Sequence, residues 1–166
     1  MIKKIGIGVG VLIILGVAYY GISPIFIHTR VDEAAPESKG EAMRDSDTKT
    51  SPSLVQQNAI PSAAPTGSPI MGTVGHPASG TVRVVKTEDG DVVRYENFKT
   101  LNGPDLYVYL SKDLEAKEYV SLGALKATEG NVNYQVPRGI ATEDYRYALV
   151  WCKQFGVLFN YAELDR

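Results

Sequence analysis

The 166-residue chain contains one cysteine, Cys152, which lies in the stretch "YALVWCKQFGVLFNYAEL". A cysteine thiolate can act as a nucleophile, a redox group or a metal ligand. Because the chain has no second cysteine, an intramolecular disulfide is excluded. Three interpretations of Cys152 follow: an inert thiol that packs in a core, an intermolecular bridge, or a reactive group.

Few other residues could support metal chemistry at this thiol. The only histidines are His28 and His76, and His28 adjoins a predicted membrane span, so a copper site built from two histidines and a cysteine is disfavoured. The C-x-x-C-H motif of c-type haem and the four cysteines of an iron–sulfur cluster are absent. We therefore predict no metal-ion site. A bare thiol and a haem held axially by the Cys152 thiolate remain as alternatives.

The alternation around Cys152 predicts a strand that is covered on both faces. In "ALVWC" both alternating sets of side chains are apolar, as in a strand inside a core. Cys152 is therefore expected to be largely buried. Lys153, the nearest cation in sequence, is expected to point to the opposite face of the strand.

The region from residue 72 to residue 166 has the sequence pattern of an all-β domain. Glu88-Asp89-Gly90 lies between two alternating runs, which predicts a β-hairpin. The stretch "SKDLEAKEY" is compatible with a loop or a short helix. About seven short strands with turn residues between them indicate an antiparallel β-sandwich or small barrel. The predicted strands are residues 80–87, 91–98, 105–111, 119–126, 131–137, 145–153 and 156–164.

The N-terminal part of the chain predicts a membrane anchor followed by a linker. Residues 5–27 carry no charge and are long enough for one transmembrane helix. Lysines precede this run and acidic residues follow it, which predicts a cytoplasmic tail at residues 1–4 and an extracytoplasmic C-terminal domain. Residues 28–71 are rich in Pro, Ser and Ala without apolar periodicity, which predicts a disordered linker that lifts the domain from the lipid.

A cleaved signal peptide is the alternative to an uncleaved signal-anchor. "GVA", which ends at Ala18, resembles a cleavage site, although the uncharged run continues beyond it. The predicted partner of this segment is the lipid bilayer. A net charge of −2 gives no electrostatic pattern for nucleic-acid binding.

Four motifs of residues 72–166 resemble the DM-thirteen domain family, also called the electron-transfer DM-thirteen domain. They are "GHPASGTVRVV", "YENFKTLNGPDLYVYLS", "LGALKATEGNVNYQVP" and "ALVWCKQFGVLFNYAEL", in the family's order. The resemblance implies a β-rich extracytoplasmic module with a redox role. It places the family's cysteine, in a Trp-Cys pair, at Cys152, either as a bare thiol or as a ligand to a prosthetic group such as haem.

Three further residues are supporting candidates at this site. Trp151 is the other member of the Trp-Cys pair, and Phe155 is an aromatic residue three positions after the cysteine. His76 lies where the family also tends to have histidine, and it is the only candidate base in the domain. A surface or turn-capping histidine is the alternative interpretation of His76, and core packing is the alternative for the aromatic residues.

Two classes of function therefore remain open. The first is a membrane-tethered redox or electron-transfer domain centred on Cys152, with an unidentified redox partner. The second is a non-enzymatic binding or adhesion module that recognises a surface protein or cell-wall polymer, in which Cys152 only packs the core. The sequence does not decide whether the protein turns over a substrate, and no catalytic triad can be argued from it.

Overall fold

The computed structural model describes four parts of the chain: Leu12, Gly16, residues 28–38 and residues 67–165. The predicted tail at 1–4 lies outside the described residues, as does the predicted span at 5–27 apart from Leu12 and Gly16. Within the described residues, no helix has the length and apolar character that crossing a bilayer requires.

Ten strands form within the described residues. They are β1 (Arg30–Asp32), β2 (Ser68–Pro69), β3 (Met71–Gly72), β4 (Ala78–Thr87), β5 (Gly90–Thr100), β6 (Leu106–Ser111), β7 (Tyr119–Ala124), β8 (Glu129–Gln135), β9 (Tyr147–Cys152) and β10 (Val157–Glu163). One turn of 3-10 helix, Thr142–Asp144, precedes β9.

The strands form two five-stranded sheets. Sheet 1 has the order β1-β8-β5-β4-β2, and sheet 2 has the order β3-β10-β9-β6-β7. The strand pairs are antiparallel except β1 with β8, which is parallel. Inward-facing residues of both sheets, among them Val93 and Tyr95 of β5 and Val108 and Val150 of sheet 2, form one hydrophobic core. Of the two predicted architectures, the sandwich is therefore the correct one.

The seven predicted strands correspond to β4 through β10. The predicted hairpin is confirmed: β4 and β5 pair from Thr87 opposite Gly90, so Glu88 and Asp89 alone form the turn. Gly90 has a φ of 125°, a conformation that favours glycine. The stretch between β6 and β7 is a loop rather than a short helix, and Asp113 holds it by accepting hydrogen bonds from main-chain N–H groups.

The structure differs from the predicted linker at both of its ends. Residues 28–38 lie on the edge of sheet 1, where β1 pairs with β8. Residues 67–71 also belong to the domain, because β2 pairs with β4 and β3 pairs with β10. The domain therefore includes segments before its predicted start at residue 72. The middle of the predicted linker, residues 39–66, lies outside the described residues.

Candidate functional site

Cys152 is the last residue of β9, the central strand of sheet 2. It is fully buried, as predicted, and its side chain belongs to the core between the sheets. Its register partners are Leu106, the first residue of β6, and Val157, the first residue of β10. The thiol therefore lies at one end of the sandwich, where β9 leaves the core and turns into β10.

The loops at this end cover the core tightly. The loop between β5 and β6 contacts Phe159 of β10, because a Cβ atom added to Gly103 would lie 2.9 Å from the ring of Phe159 and 3.1 Å from Leu106. Glycine is therefore needed where this loop crosses the apolar residues next to the thiol. Leu106 and Phe159 are themselves buried, so apolar side chains and one close-packed loop close the core at this end.

His76 reaches this end of the sandwich through Phe159. The His76 ring stacks on the Phe159 ring with centroids 3.9 Å apart, and its Nδ1 lies 3.2 Å from Thr73 Oγ1. The Thr73 hydroxyl also bonds the main-chain carbonyls of Leu158 and Phe159, so it joins the loop that carries His76 to β10. The contact of His76 is thus with the aromatic cover of the core.

The other sequence candidates lie away from the thiol. Trp151 alternates with Cys152 and faces the outer side of sheet 2, where it is half-buried and paired with Tyr107 and Leu158. Phe155 is in the turn between β9 and β10 with 65% of its surface exposed. Of the supporting candidates, the structure therefore brings none into a shared polar site with Cys152.

Lys153 does not activate the thiol. Its ammonium group lies 5.3 Å from the ring centre of Tyr107 on the outer side of sheet 2, which confirms the predicted orientation. Among the described residues, no hydrogen bond or ion pair reaches the sulfur of Cys152. A thiolate needs a cation, a helix N-terminus or solvent for its stabilisation, and the apolar surroundings offer Cys152 none of these.

The surroundings of Cys152 do not fit a haem. An axial thiolate needs an open space for the macrocycle beside the sulfur, but the sulfur is packed in the core, and neither of two surface clefts includes Cys152 in its lining. Nor does any cluster of His, Cys, Asp and Glu within the described residues have the arrangement of a metal site.

A buried polar pair in the same core was missed from the sequence. Asn160 of β10 is 1% exposed, and its amide Nδ2 donates to Thr100 Oγ1 of β5 across the two sheets at 2.9 Å. Within the part of the chain that the structure describes, its Oδ1 has no hydrogen-bond partner, and the same holds for the hydroxyl of Tyr95. Asn160 pairs with Val150, two residues before Cys152. The available signal was a polar residue at an inward position of an apolar strand.

The outer face of sheet 2 is aromatic, and we call it the outer aromatic face. The rings of Tyr109 and Tyr119 stack at 4.2 Å, and Tyr147 meets Tyr161 edge to face at 6.2 Å. Leu149, whose register partners are Tyr109 and Tyr161, is fully buried although it is not part of the core between the sheets. The members of the face are Tyr107, Tyr109, Tyr119, Tyr147, Trp151 and Tyr161.

Sheet order, core and the position of the lone thiol together define a two-sheet β-sandwich module with a cysteine at the end of its central strand. Comparison with known families shows which module this is. The chain belongs to the family described as Electron transfer DM13, whose model matches residues 71–164, more than half of the chain. Searches among curated proteins and among solved structures found no significant match.

Proposed function

We propose that the protein is an extracytoplasmic electron-transfer domain, tethered to the membrane by residues 5–27, in which Cys152 is the redox group. The family supports a redox role in general. The observation that favours Cys152 is its position: the thiol occupies the last residue of the central strand, directly before an exposed turn. Local opening of this end of the sandwich, including the turn and the loop between β5 and β6, exposes the thiol without unfolding the rest of the sheets.

The chemistry proposed for this thiol is exchange with a disulfide on a partner. Cys152 loses its proton to solvent, the thiolate sulfur forms a new S–S bond with one sulfur of the partner, and the second partner sulfur leaves as a thiolate. A thiol from outside this chain then attacks the Cys152 sulfur and the remaining partner sulfur leaves as a thiolate, so the partner gains two electrons while Cys152 and the attacking thiol are oxidised to a disulfide. Because the closed core offers no group that stabilises a thiolate, the reactive form is the opened one.

Native-state thiol labelling tests this proposal. Full-length protein in detergent is mixed with a disulfide probe at increasing low concentrations of urea. Opening of the end of the sandwich predicts labelling that is faster than global unfolding and depends weakly on urea, because little surface is exposed. Labelling only at the rate and urea dependence of global unfolding would refute the redox role of Cys152.

The membrane tether is tested separately on intact cells. An external protease is expected to release the C-terminal domain and leave a small anchored fragment, because the lysines precede the apolar run. Protection of the domain would contradict the proposed orientation. A mature chain that begins at Tyr19 would show cleavage of the segment after Ala18.

The outer aromatic face favours a second candidate function, a binding module for a cell-wall polymer or surface protein. Partly exposed aromatic side chains can anchor such contacts, and Tyr119 is the member of this face with the largest exposed fraction, 46%. Trp151 is the only tryptophan of the chain, so its fluorescence should change when soluble cell-wall fragments are titrated. Trp151→Phe removes that signal, while Tyr119→Ala should weaken binding and Phe155→Ala, outside the face, should not. No fluorescence change and no dependence on Tyr119 would exclude this candidate.

A further inference from the structure

Residues 28–38 form a clamp on the free edge of sheet 1, and we call them the N-terminal clamp. Arg30–Asp32 pair in parallel with residues 129–131 of β8. The main-chain carbonyl of Thr29 accepts from Thr128 N at 2.8 Å, and Glu33 N donates to Asn131 O at 2.8 Å. The clamp is thus an additional strand joined to the domain through its backbone.

A buried arginine fastens the end of this clamp. Arg94 of β5 is 6% exposed, and its guanidinium donates to the carbonyls of Glu33 and Ala34 at 3.2 and 3.0 Å and to Asn133 Oδ1 at 2.8 Å. Removing the clamp would take the carbonyls of Glu33 and Ala34 away from the guanidinium and leave N–H donors of a buried cation unpaired, which is costly. Glu33 contributes from its side, because its carboxylate accepts from Asn133 N at 2.6 Å.

Gly130 makes the close approach of the clamp possible. Its φ is +114°, and a Cβ atom added there would lie 2.0 Å from the carbonyl oxygen of Val31. Any other residue would push β1 off the edge. Gly123 of β7 has nearly the same φ, +112°, but open space around the added atom, so it provides a matched control for backbone strain.

We infer that the clamp holds the β8 edge of sheet 1 against the surface of the lipid bilayer. This inference rests on the proposed membrane tether. Only two residues separate the predicted end of the span at Ile27 from the first residue of β1, Arg30. Three residue steps span at most about 10 Å, so the edge lies at the headgroups. The long segment that follows the clamp does not set the distance between membrane and domain.

The charges of this edge suit a headgroup surface. Arg30 pairs with Asp32 and with Glu129, and all three side chains are at least 37% exposed. Charged side chains of both signs on an edge strand oppose insertion into hydrocarbon and pairing with another strand. The edge therefore rests on the polar surface of the bilayer without entering it.

Energy transfer to labelled lipids tests this placement. Full-length protein with Lys99→Cys and Cys152→Val, which carries a donor fluorophore on the exposed position 99 beside β8, is inserted into phosphatidylcholine vesicles that contain a small fraction of acceptor-labelled lipid. Adding Gly130→Ala should release the clamp. The connection then runs through about 40 residues, and the separation should rise from ~10 Å to ~35 Å if they behave as a flexible coil. Adding Gly123→Ala should leave the transfer unchanged.

Hydrogen exchange on the same proteins reports the clamp itself. The amides of Glu33 and Thr128 should exchange at least ~10-fold faster in the Gly130→Ala variant and at the unaltered rate in the Gly123→Ala variant. Faster exchange with unchanged energy transfer would overturn the placement at the membrane. Unchanged exchange would overturn the role of Gly130. Failure of the parent chain to float with the vesicles would refute the tether, and with it the placement, whereas the exchange result would still stand.

A second variant covers the case that Gly130→Ala does not fold. Glu33→Pro removes the N–H that bonds Asn131 O and the carboxylate that accepts from Asn133 N, and both contacts attach the clamp to β8, so the two sheets should remain folded. It should lower the energy transfer as Gly130→Ala does. Glu37→Pro, at an exposed position four residues further along the chain, is the control and should leave the energy transfer unchanged. Equal transfer in these two variants would also overturn the inference.

Discussion

Substitution of Cys152 by Val, Ala and Ser separates the packing of this residue from its chemistry. The side chain is 0% exposed and lies in the core, so removing the sulfur in Cys152→Ala should cost about 1–2 kcal/mol of unfolding free energy. Cys152→Val keeps an apolar group of similar size and should cost no more. Cys152→Ser buries a hydroxyl where no acceptor reaches the thiol, which should add about 1–3 kcal/mol.

The assay is thermal denaturation of the full chain, followed by circular dichroism. In a domain of about 100 residues, each kcal/mol shifts Tm by roughly 4–8 °C, so Ala should lower Tm by about 5–15 °C and Ser clearly more. Equal stability of the Ser and Ala variants would refute the dry apolar environment described for the thiol. If Cys152 is the redox group, exchange with a partner disulfide should disappear even in the stable Val variant.

Two further perturbations test the packing and the charges of the sandwich. Burial alone would raise the pKa of Glu96, but hydrogen bonds from Arg94 and Arg83 outweigh it and hold the pKa below its ordinary value of 4.5. The stabilisation from the carboxylate is therefore present above that pH and lost as the pH falls through the lowered pKa. The difference in urea-unfolding free energy between wild type and Glu96→Gln should consequently shrink in acid. A difference that stays constant with pH would contradict this account. Gly103→Ala should destabilise the domain by about 1–3 kcal/mol through its clash with Phe159, and a melt identical to wild type would show that the loop yields freely.

The sequence predicted the main strands well because alternation and turn residues act locally. Each of β4 to β10 is at least six residues long, enough to display an apolar face, and Asp-Gly marked the first hairpin. The burial of Cys152 was predicted because both alternating sets of side chains in its strand are apolar. These features depend on neighbours within a few residues, so a single sequence contains them.

The remaining features depend on partners far along the chain. β1, β2 and β3 have two or three residues each, too few to show alternation, and their pairing is decided by sheet edges that form elsewhere. The stack of His76 on Phe159 depends on the path of a loop, and the bond from Asn160 to Thr100 joins opposite sheets. The sequence predicted that the thiol is buried, but the arrangement of residues around it required the fold.

The pairing of β1 with β8 also has a consequence for the order of events during biosynthesis. Arg30 and Glu129 are 99 positions apart, so β1 leaves the ribosome long before its partner exists. At synthesis rates of roughly 5–20 residues per second, it waits unpaired for about 5–20 s. Parallel pairing over such a separation is also slow to form. Pairing of β1 with β8 should therefore be among the last steps of maturation. A chain in which this pair has formed would be one whose domain has already folded.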